Sequence, residues 1–62
     1  MDKTINQTVQ LAFDQAIKHH TENNLDEAKK LYQKIIEIDV NHEDAHNNLG
    51  IIFSNLGHLE KA

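Results

Sequence analysis

Apolar residues recur at steps of three and four in three stretches of the chain, and polar residues separate these stretches. This spacing places apolar side chains on one face of an α-helix. It therefore predicts an all-α chain of three amphipathic helices. The residues of the three stripes are Ile5, Val9, Ala12, Phe13, Ala16 and Ile17; Leu25, Ala28, Leu31, Tyr32, Ile35, Ile36 and Ile38; and Ala45, Leu49, Ile52, Phe53 and Leu56.

Polar residues between the stripes predict where each helix begins and ends. The first helix should end near Glu22–Asn24, because asparagine tolerates the left-handed conformation that often follows a helix. Asn41 is the predicted N-cap of the third helix. Gly57 is its predicted C-cap, so residues 58–62 would begin a fourth helix that remains a stub.

Length, charge and composition exclude several classes of function. A chain of 62 residues has room for one small domain, and the absence of cysteine excludes disulfides and thiolate metal sites. The net charge of −4 argues against nucleic acid as a partner. No apolar run is long enough to span a membrane, and residues 1–10 carry no signal-peptide core. We therefore expect a soluble, cytoplasmic protein with no membrane or nucleic-acid partner.

The chain also repeats itself. When it is shifted by 34 residues, Ala16 falls on Gly50, Asn23 on Gly57, Leu25 on Leu59 and Ala28 on Ala62. A small residue in the middle of the first helix of each unit should let the second helix approach closely, and asparagine or glycine should reverse the chain. The shift therefore predicts two related helix pairs, the second of them incomplete.

The residues NNLG (47–50), Phe53, GHLEKA (57–62) and NLDEAKKLYQKIIEID (24–39) resemble the tetratricopeptide repeat family. The resemblance covers about residues 9–62. It implies antiparallel helical hairpins stacked into a superhelix, here about one and a half repeats as three helices plus a stub. It divides the chain into a lead-in at 1–8, a first repeat at 9–42 and a truncated second repeat at 43–62. Val40 departs from the family, which usually has proline at that position.

The H-x-D-A-H-x-x-L-G pattern that begins at His42 has a narrower resemblance. It is similar to the opening repeats ahead of bacterial O-GlcNAc-transferase-like and sulfotransferase-like domains. This implies a longer parent protein and no catalytic residue within these 62 positions.

The family resemblance implies a non-catalytic module that binds peptide or protein segments, since the first helix of each pair lines a concave groove. Asn48 is the most suggestive groove residue, because an amide both donates and accepts hydrogen bonds to peptide backbone. Asp14 stands at the equivalent position one repeat earlier, so Asn48 is equally well explained as an ordinary surface residue. The implied lining consists of Gln10, Phe13, Asp14, Ile17 and His20 from the first repeat and Asp44, Asn47, Asn48, Ile51 and Asn55 from the second.

An incomplete second repeat would leave the third helix without the partner that the family pattern places against it. Its apolar face would then be larger than a soluble monomer usually exposes, which favours a homo-oligomer, with a domain-swapped dimer as one form. The residues predicted to self-associate are Leu49, Ile52, Phe53, Leu56 and Leu59.

Residues 42–46 (HEDAH) match the H-E-x-x-H pattern of zinc hydrolases, so a zinc-binding protein or metallohydrolase is the alternative function. A zinc site of that type needs both histidines inside one helix and a third ligand, whereas His42 lies at or before the predicted helix start. We therefore expect Glu43 and Asp44 to be helix-terminal acids and His46 to be a partly buried packing residue. No cofactor, metal or catalytic residue is predicted.

Overall fold

The computed structural model describes the backbone of residues 3–61 and the side chains of residues 3–57. This part of the chain forms three α-helices, α1 (Lys3–Thr21), α2 (Leu25–Ile38) and α3 (Glu43–Lys61), and contains no strand. The all-α class predicted from the apolar spacing is confirmed. None of the helices in the described residues is both long enough and apolar enough to cross a membrane.

The central helix is α2, which packs against α1 on one side and α3 on the other. Links of three and four residues join the helices, so consecutive helices run antiparallel, as short connections require. Helix α2 alone supplies half of the buried apolar residues. This core consists of Val9, Ala16, Leu25, Ala28, Tyr32, Ile35, Ala45 and Ile52.

Two alanines, one on α1 and one on α2, belong to the buried core. Ala16 and Ala28 are both fully buried, in agreement with the predicted close approach of the two helices. Gly50 behaves differently, because no atom of another helix of the described chain lies within 4 Å of the position that a Cβ would occupy there. Helix α3 contacts α2 through Ala45 and Ile52, and Gly50 lies away from that contact face. The close approach predicted at Gly50 concerns the helix that would follow α3, and the described residues contain no such helix.

A left-handed residue ends α1 where the sequence predicts it. Asn23 has a φ of 67°. Its backbone N–H donates to the His20 carbonyl at 3.1 Å, and the Asn24 N–H donates to the His19 carbonyl at 2.8 Å. These two bonds form a Schellman motif, which satisfies carbonyl groups at the end of the helix and reverses the chain.

Substitutions at Asn23 should separate backbone strain from side-chain contacts. Asn23→Ala should lower the free energy of unfolding by about 1–2 kcal/mol, because alanine is disfavoured in the left-handed region. Asn23→Gly should be neutral or stabilising, because glycine adopts this φ without a Cβ penalty. Urea denaturation followed by circular dichroism measures both values. Equal stability of the two variants would contradict this account of the turn.

Helix α3 begins on His42 and not on the predicted cap, Asn41. The His42 carbonyl accepts the His46 N–H at 3.1 Å, and the His42 Nδ1 atom accepts the Ala45 N–H at 3.1 Å. The Asn41 N–H instead donates to Asp39 Oδ1 at 3.3 Å inside the link. Histidine is not among the usual N-cap residues, which is why the sequence favours Asn41.

Helix α3 also continues through Gly57, which was predicted to be its C-cap, and ends at Lys61. The predicted fourth-helix stub is therefore wrong for residues 58–61, while Ala62 lies outside the described residues. A glycine costs only about 1 kcal/mol in a helix interior. Reversing the chain at Gly57 would lower the free energy of the folded state only if the following segment packed back against α3.

Candidate functional site

The groove predicted from the family resemblance would lie between α1 and α3, above the Tyr32 side chain of α2, which is called its floor here. Tyr32 is fully buried. Its ring makes edge contacts with Phe13, at a centroid distance of 5.9 Å, and with His20, at 6.4 Å. Its hydroxyl oxygen accepts a hydrogen bond from Asn48 Nδ2 at 3.2 Å. Tyr32 therefore connects α1 to α3.

The α1 wall of this groove carries both apolar and acidic side chains. Ile17 lies four residues after Phe13 and three before His20, which places it on the same side of the helix. It is 42% exposed. Asp14 lies one turn earlier, and its Oδ1 atom accepts a hydrogen bond from Gln10 Nε2 at 3.0 Å. The amide of Gln10 thus orients the Asp14 carboxylate.

The α3 wall includes Asn48, whose side chain is hydrogen-bonded to Tyr32. Asp44 lies four residues before Asn48 and Ile51 three residues after it, so these residues share one side of the helix. Ile51 is 51% exposed, and Asn55, one turn further along, is also exposed. In the 34-residue repeat Ile51 is the counterpart of Ile17, so each wall presents an exposed isoleucine at an equivalent position.

Six of the predicted groove residues form two groups in the structure, and Asn47 lies apart from both. Phe13, His20 and Asn48 are half-buried and meet at Tyr32, while Ile17, Ile51 and Asn55 are exposed on the walls. Asn47 lies elsewhere. It lines a surface pocket of about 610 Å³ beside the link between α2 and α3, together with Val40, Asn41, Glu43 and His46.

The structure shows a contact of Asn48 that the sequence does not indicate. Its amide nitrogen donates to Tyr32, which leaves one N–H and the carbonyl oxygen of the side chain for other partners. Sequence reasoning missed this hydrogen bond because the two residues are 16 positions apart and belong to different helices. No local pattern signals such a pair.

Both histidines of the HEDAH segment bind the backbone near the start of α3. His42 Nδ1 accepts the Ala45 N–H, and His46 Nε2 lies 2.7 Å from the Val40 carbonyl oxygen, to which it must donate. No group of three possible metal-ligating side chains occurs within the described residues. The structure therefore lends the zinc alternative no support. His46 is exposed, so the expectation of a partly buried packing residue is wrong.

His42 has a second contact that the sequence does not indicate. Its ring lies against Phe13, with a centroid distance of 5.1 Å and an interplanar angle of 38°. Through this contact and the helix cap, His42 links the start of α3 to α1. It therefore contributes to the relative position of the two groove walls.

The residues predicted to self-associate differ widely in exposure. The expectation that Ile52 faces water is wrong, because its side chain is fully buried against α2. Leu49 and Leu56 are half-buried and pack beside the core. Phe53 is 50% exposed, and the side chain of Leu59 lies outside the described residues. Among the described side chains of this set, Phe53 is the most accessible apolar surface.

Burial of Tyr32 predicts a loss of stability at alkaline pH. Desolvation raises the pKa of Tyr32 above its ordinary value of 10.0, and the hydrogen bond from Asn48 opposes this rise. The unfolded chain therefore loses this proton at a lower pH than the folded chain does. The Tyr32 contribution to the free energy of unfolding should be complete below pH 10 and should disappear as the pH rises through the folded pKa.

Tyr32 is the only tyrosine and the chain has no tryptophan, so near-ultraviolet absorbance of tyrosinate reports this group alone. The measurement is a pH titration of the folded protein, paired with urea denaturation at each pH. Tyr32→Phe should lose this part of the alkaline destabilisation. A tyrosinate midpoint at or below that of free tyrosine would contradict the burial of the hydroxyl.

Two family models, both described as Tetratricopeptide repeat, match the chain. One covers residues 31–62, which is half of the chain, and the other covers residues 19–42. Neither model distinguishes the narrower transferase-associated context. Comparison with curated proteins and with solved structures gives no match.

Proposed function

Because the chain belongs to the tetratricopeptide repeat family, we propose that it is a non-catalytic interaction module that binds an extended peptide segment between α1 and α3. Repeats of this family generally mediate protein–protein interaction. The observation that carries the proposal is the arrangement around Tyr32, where side chains from α1 and α3 meet on one floor.

The groove provides the two kinds of contact that an extended peptide needs. Ile17 and Ile51 expose apolar surface on opposite walls, which suits an apolar side chain of the ligand. Asn48 retains one donor and one acceptor, which suits the ligand backbone whatever its sequence. The floor is held by aromatic contacts and a hydrogen bond, so little ordering should be required on binding.

Selection of peptides from a random dodecamer phage library tests the proposal. The immobilised chain is the target, and a variant carrying Ile17→Ser and Ile51→Ser is the counter-target. Leu11→Ser is the matched control, because Leu11 is 65% exposed on a different side of α1. We expect enriched peptides to bind the wild type and Leu11→Ser alike and to lose affinity for the double variant. Equal binding to all three proteins would contradict the groove.

Self-association through the outer face of α3 is the second part of the proposed function. This face is defined here by Leu49, Gly50, Phe53 and Gly57. Phe53 is half-exposed, and both glycines face open space in the described chain. A second copy placed there would approach the α3 backbone closely and cover the Phe53 ring.

Sedimentation equilibrium of wild type, Phe53→Glu and Gly50→Ala measures the self-association. Phe53→Glu should give a monomer, because it places a charge in the proposed interface. Gly50→Ala should raise monomer stability by about 1 kcal/mol through helix propensity. It should at the same time weaken association, because the added methyl group obstructs close approach. A wild type that stays monomeric at millimolar concentration would refute the proposed interface.

The remaining parts of the proposal follow from the family. We expect the module to act without catalysis or cofactor and to work in the cytoplasm, with protein segments as its partners. The resemblance to repeats ahead of transferase domains stays a prediction about a parent protein. The sequence of that protein beyond Ala62 would test it directly, and would also test the division into repeats at 9–42 and 43–62.

A further inference from the structure

We propose that the groove between α1 and α3 selects a basic, extended peptide segment in which a lysine or arginine lies beside an apolar residue. This inference rests on the proposed peptide binding and adds the chemistry of the ligand. It follows from the charges on the two walls and from their position relative to the exposed isoleucines.

Each wall carries one carboxylate on the same side as its isoleucine, about 4.5 Å away along the helix axis on α1 and about 10 Å away on α3. Asp14 lies three residues before Ile17 on α1, and Asp44 lies seven residues before Ile51 on α3. Both aspartates are exposed. One oxygen of Asp14 accepts the Gln10 amide, which leaves the other oxygen for a ligand. The two carboxylates thus lie on the side of the isoleucine pair toward the N-termini of α1 and α3.

The walls carry no lysine or arginine to neutralise these carboxylates. The α1 wall consists of Gln10, Phe13, Asp14, Ile17 and His20, and the α3 wall of Asp44, Asn48, Ile51 and Asn55. Lys18 follows Ile17 directly, so it projects about 100° away around the helix. Lys3 begins α1, 11 positions before Asp14, which is about 16 Å along the helix axis. The two walls therefore carry negative charge and no basic residue of their own, which makes them complementary to a cationic side chain.

The spacing of the wall residues sets the spacing within the ligand. Asp14 and Ile17 are separated by about 4.5 Å along the α1 axis. An extended peptide advances about 3.3 Å per residue. A ligand whose apolar side chain rests between Ile17 and Ile51 thus brings its first or second neighbouring residue to the level of Asp14. A lysine or arginine at that position of the ligand would place its positive charge beside the Asp14 carboxylate.

Asp44 also has a structural role, since it lies in the first turn of α3, where an acid opposes the helix dipole. Any test must separate this role from ligand binding. Glu43 shares the same first turn but lies about 100° around the helix, beside the surface pocket. It therefore provides a matched control for the charge at this helix end.

Fluorescence polarisation with defined probes tests the inference. The probe is a fluorescein-labelled dodecapeptide of three Lys-Leu-Ser-Pro units, whose prolines keep it extended. Counterpart peptides replace lysine by glutamate or by serine. At low ionic strength the lysine probe should bind about tenfold more tightly than the glutamate probe, and the difference should shrink as salt screens the exposed charges.

Two double variants test which carboxylates cause the preference for the lysine probe. Asp14→Asn with Asp44→Asn should weaken binding of the lysine probe about fivefold and leave the serine probe unchanged, because two exposed ion pairs are lost. Glu22→Gln with Glu43→Gln changes the net charge by the same two units and should have little effect. Circular dichroism of both double variants verifies that α3 remains formed.

The outcomes separate this inference from the proposed function. If the serine probe binds as tightly as the lysine probe and Ile17→Ser with Ile51→Ser abolishes both, the groove binds peptide without selecting charge, and this inference is overturned. If Glu22→Gln with Glu43→Gln weakens binding of the lysine probe as much as Asp14→Asn with Asp44→Asn does, the attraction is not specific to the groove, which also overturns the inference. If no probe of any charge binds, the proposed function falls together with the inference.

Discussion

Tyr32→Ala should lower the free energy of unfolding by about 3–5 kcal/mol, the range found when a buried aromatic side chain is truncated. The ring is fully buried, and its loss removes contacts to Phe13 and His20 at the same time. A single core in a chain of this length rarely supplies more than about 3–5 kcal/mol in total. The variant should therefore be largely unfolded at room temperature, as measured by circular dichroism and urea denaturation.

Tyr32→Phe is the matched control, because it keeps the ring and removes only the hydroxyl. It should cost about 1 kcal/mol, since one hydrogen bond from Asn48 is lost and the Asn48 amide is only half-buried. The phenylalanine variant should fold and keep the floor of the groove. A Tyr32→Ala variant as stable as Tyr32→Phe would show that the ring does not hold α1 and α3 together.

Ile35→Ala should have the next largest effect, about 2–5 kcal/mol. Ile35 is fully buried, and α2 is the helix that packs extensively against both others. Removal of three carbon atoms there leaves a cavity that the surrounding helices can only partly fill. Thermal and urea unfolding of the variant measures the loss.

The same substitution at Ile38 provides the comparison, since both residues are isoleucines of α2 and Ile38 is 42% exposed at the helix end. Ile38→Ala should cost less than about 1 kcal/mol, because a large part of the side chain is already in contact with water in the folded protein. Alanine also has the higher helix propensity. Similar losses at the two positions would indicate that α2 does not form the centre of the fold.

The family and the helical architecture were accessible from the sequence because they rest on local periodicity. The small and large residues that repeat after 34 positions predicted the tetratricopeptide family, and two family models confirm it. The start of α2 at Leu25 and the left-handed Asn23 were also predicted correctly. Both depend on the conformational preferences of a few neighbouring residues, which the sequence displays directly.

The groove could be predicted only as a set of helix positions. Ile17 and Ile51 are exposed, and their role in binding stays a prediction. Tyr32 was assigned only to the core, and its bond to Asn48 was not foreseen. A helical stripe indicates which residues face inward. It does not indicate which side chain of a neighbouring helix each residue meets, because that depends on the axial position of one helix against another.

The sequence by itself determined the helices, the turn at Asn23, the repeat and the apolar stripe of each helix, since each of these depends on local spacing. Only the tertiary structure decided that His42 caps α3, that α3 continues through Gly57, and that Ile52 is buried while Phe53 is half-exposed. These outcomes depend on which atoms of other helices lie nearby. A residue inside an apolar stripe is buried only where another helix covers it, and the position of that helix is a property of the whole fold.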